Sequence, residues 1–146
     1  MAATETQERI VAEARKWLGT PYHHQADVIG AGCDCAMLLA RVYHAVGLIP
    51  AVDPRPYPRD WHLHRDEERY LGWVKQYCRP VKGEPKPGDL VLYRVGRCYS
   101  HGAIVVEWPM IIHAYMDERA VVLGRYDAGR LAGRDWQAWR VKAARK

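Results

Sequence analysis

The hydrophobic period of this chain changes at a turn signal, Pro87-Gly88: before it apolar residues recur every three or four positions, and after it every two. Helices first and strands second is the order of an α+β domain, in which helices pack on a curled sheet. Beyond the turn, residues 89–95, 101–107, 110–114 and 120–123 are short runs rich in β-branched and apolar residues, separated by turn residues, and they predict an antiparallel meander. A last element, residues 136–141, fits strand or helix equally.

Three helices are predicted ahead of the turn. Thr4 with Gln7 forms a capping box for a helix whose apolar face is Ile10, Val11, Ala14, Trp17 and Leu18, ending at Gly19. After an irregular segment, residues 19–32, a second helix opens at Cys35 with Asp34 at the N-cap position. Its stripe is Leu38, Leu39, Val42, Tyr43 and Val46, and Gly47 stops it. Pro50, Pro54, Pro56 and Pro58 then forbid helix and sheet interior and mark a surface excursion that includes His62 and His64. A third helix follows over residues 66–78, with Tyr70, Leu71, Val74, Tyr77 and Cys78 facing inward.

At 146 residues, without an internal repeat, the chain is expected to form one domain over residues 1–146. The net charge of +5 favours acidic partners, but the basic residues are not interleaved with stacking aromatics, so a nucleic-acid role is not expected. No run approaches the roughly 18 apolar residues of a membrane helix. The N-terminus lacks the basic and apolar regions of a signal peptide, which predicts synthesis in a cytoplasm. Neither cofactor nor metal is expected.

The four cysteines, at 33, 35, 78 and 98, are too sparse for a disulfide framework and do not form the paired C-x-x-C of a zinc ribbon. Cys78 reads as a small buried hydrophobe and Cys98 as loop or turn. Cys35 differs, because a thiol in the first turn of a capped helix lies near the positive end of the helix dipole, which lowers its pKa toward a nucleophilic thiolate. It also shares the buried stripe, whereas Cys33 precedes the cap and has no fixed direction. A nucleophilic thiol needs a base and a group that orients the base. His101 opens one strand and His113 ends the next, so a hairpin would project both rings from one end of the sheet. His44 falls on the solvent side of its helix. The bland alternatives are a packing cysteine, surface histidines, or a metal held by Cys33 and Cys35, for which C-x-C spacing is poor.

Gly19-Thr20-Pro21-Tyr22, Asp34-Cys35 opening a helix, Pro87-Gly88-Asp89-Leu90-Val91 before a strand, His101-Gly102-Ala103-Ile104 and Ile112-His113-Ala114 together resemble the NlpC/P60 cysteine peptidases in order and spacing. The approach Gly-Ala-Gly-Cys-Asp-Cys and the proline-rich connection resemble the cell-wall peptidases of phage tails and gene transfer agents. The resemblance implies a compact papain-like α+β fold and cleavage of an amide in the peptidoglycan stem peptide, commonly between γ-D-glutamate and a diamino acid. It implies Cys35 as nucleophile, His101 as base then acid, His113 as orienting residue, and Tyr22 with the Cys35 amide as oxyanion donors. Asp34, Ala36, His23 and His24 stand on the substrate side. Where the family usually has Ser-Gly after Asp-Cys, this chain has Ala36-Met37, and His23-His24-Gln25 replaces Trp-Gly-Gly. Partners implied are the stem peptide and the baseplate or hub proteins of a phage-like particle that carries the enzyme to the wall. Two alternatives use the same residues: a tail-tip hub protein with a vestigial site, and an amidase or acyltransferase.

Overall fold

The computed structural model describes residues 4–51, 53, 69–95 and 98–142. The expectations for Pro54, Pro56, Pro58, His62 and His64, the first residues of the third helix, and the side chains of Tyr70 and Cys98 fall outside the described residues and side chains.

The first helix, α1, is Glu5–Arg15, and both halves of its capping box are formed by Thr4 and Gln7. It is shorter than its apolar pattern. Trp17 is still buried in the turn that follows, while Leu18 is exposed. Next come two very short strands, β1 (Asp27–Val28) and β2 (Gly32–Cys33), paired antiparallel. The second helix, α2, is Cys35–Ala45, followed by Gly47 at φ 83°, a left-handed conformation that suits glycine. Residues 35–40 of α2 are all buried, together with Val42 and Tyr43, so this helix is covered beyond its predicted stripe. It packs on both α1 and the sheet, and Arg9 of α1 donates to the Val46 carbonyl at 3.2 Å.

The third helix, α3 (Arg69–Tyr77), stops one residue short of Cys78, which instead begins β3 (Cys78–Pro80) and remains buried. The predicted meander is present as β4 (Leu90–Val95), β5 (Cys98–Glu107), β6 (Met110–Tyr115) and β7 (Ala120–Arg125). Cys98 therefore starts a strand and is not part of a loop. The open element at the C-terminal end is a strand, β8 (Trp136–Val141), inserted between β3 and β4 to give the order β3-β8-β4-β5-β6-β7. Asp89 and Arg140 reinforce this non-consecutive pairing, with Nε and Nη2 donating to the two carboxylate oxygens at 2.7 and 2.9 Å. The sheet is open, and the α+β expectation holds.

Both faces of the sheet are covered, which explains why Leu90, Val91, Leu92 and Tyr93 are all buried instead of alternating. Leu90, Leu92, Ile104, Ile112, Ala114 and Val121 join the core with α2. Val91, Tyr93, Ala103, Val105 and Ile111 form a second cluster with Leu131, under Trp108 and Tyr126. Residues 19–22 are less irregular than expected, because Gly19 and Tyr22 donate to the Val121 and Arg119 carbonyls and cap the outer edge of β7. Among the described residues no helix is long and apolar enough to cross a membrane.

Candidate active site

The site begins at the cap of α2. Asp34 has extended backbone geometry and is 2% exposed, and one carboxylate oxygen accepts the Met37 amide at 3.0 Å. The other accepts the Gln25 amide at 2.7 Å, holding a residue whose φ is 64°. One side chain thus stabilises the first turn of α2 and pins the loop 23–25 beside it. Arg41 repeats the link one level down by pairing with Asp27 of β1 at 2.8 Å.

Cys33 has a fixed place, contrary to the sequence expectation. It is fully buried in β2, donates its amide to the Pro21 carbonyl at 3.0 Å and accepts the His23 amide at 2.9 Å. Among the described residues no group of three His, Cys, Asp or Glu could hold a metal ion.

The Cys35 thiol donates to the Ser100 carbonyl at 3.5 Å. That contact falls on an irregularity of β5: Tyr93 pairs with His101, the next residue Arg94 pairs with Tyr99, and Ser100 is the extra residue of a bulge. The thiol therefore rests on the strand at the residue immediately before His101. Pairing between β5 and β6 runs from Ile104 opposite Ile112 to the turn; His113 lies one residue beyond that pair and His101 three. Both rings occupy this end of the sheet, and His101 Nε2 lies 2.8 Å from His113 Nδ1 with the ring planes at 73°. Tyr115 stacks on His113 with centroids 4.7 Å apart, and the Tyr115 hydroxyl accepts the Arg130 amide at 3.1 Å. Tyr93 closes the other side of His101 at 5.7 Å.

Burial decides the electrostatics. The Cys35 thiol is pushed up to about 12, chiefly by desolvation and secondarily by the Asp34 charge; the Gly102 and Ala36 amides oppose this. The expected lowering by the helix dipole is overturned, because loss of water and a carboxylate one residue away outweigh a half-charge. His101 is driven down to about 3 by burial, His113 and the Arg134 charge, and His113 to about 4 by burial. At neutral pH the thiol and both rings are uncharged. One proton then bridges the two rings, and if it sits on His101 Nε2, the Nδ1 of His101 is the bare nitrogen able to accept another.

The remaining expected residues are close by in the chain. Tyr22 forms a parallel bridge with Cys33 and packs half-buried against the core. His24 Nδ1 is 3.9 Å from the Asp34 carboxylate, and its other ring nitrogen is 3.0 Å from Gln25 Nε2. His23 is exposed; a Cβ on Gly32 would stand 2.9 Å from its Cβ, so only glycine fits there. Ala36 and Met37 are 8% and 0% exposed, and Met37 fills core volume. His44 is exposed, as expected, with Nδ1 3.1 Å from the Ile49 carbonyl oxygen. Sequence reasoning missed Ser100, Tyr115 and Arg134. Tyr115 carried a signal, since it stands two residues past His113 and shares its face of β6.

Helices packed on an open antiparallel sheet, with a buried thiol at a helix start lying on the strand that bears one of two hydrogen-bonded imidazoles, define an α+β domain with a cysteine–histidine site. The match of the NlpC/P60 family model to residues 19–145 makes it more specific: the chain belongs to the NlpC/P60 family. Solved structures agree. The NlpC/p60 domain of the peptidoglycan hydrolase SagA is 23% identical, with a TM-score of 0.58, over 90% of this chain and 96% of that one. The peptidoglycan hydrolase RipB of Mycobacterium tuberculosis is 20% identical, with a TM-score of 0.60, over 94% and 66% of the two chains. NlpC1 of Trichomonas vaginalis is 14% identical with a TM-score of 0.67; 99% of this chain matches 47% of that one, so it spans about half that protein's length. At these identities the likeness is one of fold. No protein of curated function matches the chain.

Proposed function

We propose that this chain is a cysteine hydrolase that cleaves an amide bond in peptidoglycan stem peptides. The observation that carries the reading is the His101–His113 hydrogen bond of 2.8 Å, formed where the Cys35 thiol rests on the residue before His101. Family membership supports it, as do the peptidoglycan hydrolases SagA and RipB among the structural neighbours.

In this reading Cys35 attacks the scissile carbonyl carbon while its proton passes to His101 Nδ1. A thiol at about 12 beside a ring at about 3 favours transfer during attack over a standing ion pair. The imidazolium so formed donates through Nε2 to His113, which keeps the ring oriented. Charge developing on the carbonyl oxygen is met by the Cys35 amide and the Tyr22 hydroxyl. When the C–N bond breaks, His101 returns its proton to the leaving amine, and water then hydrolyses the thioester by the same route. His23, His24, Asp34 and Ala36 border the substrate, with Asp34 acting through the loop it pins.

Carriage by a phage-like or gene-transfer-agent particle, with baseplate or hub proteins as partners and the periplasm or wall as place of action, extends the proposal. It draws on the Gly-Ala-Gly-Cys-Asp-Cys approach to α2 and the proline-rich connection. The rival reading, a tail-tip structural protein with an inert thiol, draws on the raised Cys35 pKa. Purified muropeptides incubated with wild type and with Cys35→Ala decide between them: release of new amine by the wild type alone supports the hydrolase, and equal or absent release supports the structural protein.

A further inference from the structure

Arg134 lies in the connection between β7 and β8, outside every motif that marks the family resemblance. The chain around it is shaped by a single 3-10 turn, Gly129–Leu131, and by the Arg94 amide, which donates to the Asp135 carbonyl at 2.9 Å. Two backbone carbonyls hold the guanidinium: Nε donates to Arg130 at 2.7 Å and Nη1 to Arg94 at 3.4 Å. Both tethers lead to the histidine pair. Arg130 donates its amide to the hydroxyl of Tyr115, whose ring stacks on His113. Arg94 follows Tyr93, which is paired with His101 and whose ring lies 5.7 Å from it.

The charge balance of this segment sets Arg134 apart. Arg125 pairs with Asp127, Arg130 with Asp117 and Arg140 with Asp89. Arg134 alone among the described arginines from 125 onward is bonded only to neutral carbonyls. A guanidinium has five N–H donors in a planar fork, and these two bonds leave the outer Nη2 edge for another acceptor. Two carbonyls place no carboxylate against this guanidinium, and a carboxylate is the group its fork matches in two-point fashion.

Resting on the hydrolase reading, we infer that Arg134 is a specificity-determining residue that binds a free carboxylate of the substrate peptide beside the His101–His113 pair. It acts on ground-state binding of an acidic peptide and takes no part in proton transfer. Its charge is the least of the three influences that lower His101, so its effect falls on Kd and KM more than on kcat.

The experiment compares a stem tripeptide bearing free α-carboxylates with the same peptide amidated at those carboxylates. Calorimetric titration into Cys35→Ala protein reads binding without turnover. The acidic peptide is expected to bind about tenfold or more tightly than its amide, and Arg134→Gln to abolish the difference, while Arg134→Lys restores part of it. If wild-type-like discrimination persists in Arg134→Gln, or acid and amide bind alike to the parent, the inference is overturned. A merely structural tether would weaken both peptides equally. Steady-state kinetics on otherwise wild-type protein separates the two levels: no turnover of either peptide sinks the hydrolase reading, whereas turnover with an Arg134-independent KM sinks only the role of Arg134.

Discussion

His101 Nε2 and His113 Nδ1 are 2.8 Å apart, twelve residues apart in the chain and on adjacent strands, and this bond leaves Nδ1 of His101 outside the pair, the nitrogen to which the proposed mechanism gives the role of base. Removing the base should cost the most. In His101→Ala, kcat/KM for muropeptide hydrolysis is expected to fall roughly 10²–10⁴-fold. His113→Ala should lower it by a smaller factor and broaden the pH profile, since the ring loses orientation but not its basic nitrogen. Equal activity of wild type and His101→Ala would remove His101 from the mechanism.

Acid should destabilise the protein through the same two rings. In the folded chain they bind protons only near pH 3 and 4, against an ordinary 6.5. Between those values the unfolded chain holds more protons, so stability is full above about pH 6.5 and is lost progressively as pH falls toward 3. Urea unfolding from pH 7 to 4 checks this. The slope should be shallower in His113→Ala, and a stability that rises on acidification through this window would contradict the buried neutral pair.

The resting thiol should be slow. With Cys35 at about 12, iodoacetamide labelling of native protein at pH 7.5 is expected to be slower than that of a small thiol of pKa about 8.5, and to rise about tenfold per pH unit without a plateau below pH 10. Cys33 and Cys78 are also raised to about 12, so mass spectrometry must assign the label. A plateau at neutral pH confined to Cys35 would mean a preformed thiolate.

Asp34 couples two elements, which gives its loss a double effect. Asp34→Ala removes the α2 cap and leaves the Gln25 amide without its acceptor, and should cost about 1–3 kcal/mol in urea unfolding. Asp34→Asn keeps a capping oxygen and should recover part of it. If Asp34→Ala unfolds at the wild-type midpoint, the cap contributes nothing.

Met37 tests how tightly the core beneath the start of α2 is packed. Fully buried, it should cost about 2–5 kcal/mol when truncated to Ala, and more as Gly. A Met37→Gly protein of unchanged stability would show that the surrounding core closes over the gap.

Much of the architecture was legible in short-range pattern. The capping box at Thr4, the Asp34 cap and the Leu38–Val46 stripe are effects within one or two turns of chain, where sterics and backbone hydrogen bonding act locally. The meander from β4 to β7 followed from consecutive period-2 runs and turns. Cys35, His101 and His113 could be singled out because each stands at the end of an apolar run, although β5 begins three residues before His101 and β6 continues two residues beyond His113. By itself the sequence determined the elements and the order in which they arrive. Only the tertiary structure decided that residues 136–141 form a strand beside β4, that Cys33 is locked in β2, that the Cys35 thiol lies on the Ser100 bulge, and that Arg134 is tethered to the Arg94 carbonyl. These depend on contacts between distant residues and on the water those contacts exclude. Desolvation also reversed the expected state of Cys35: the helix dipole is a local property of α2, but the burial that outweighs it belongs to the whole fold.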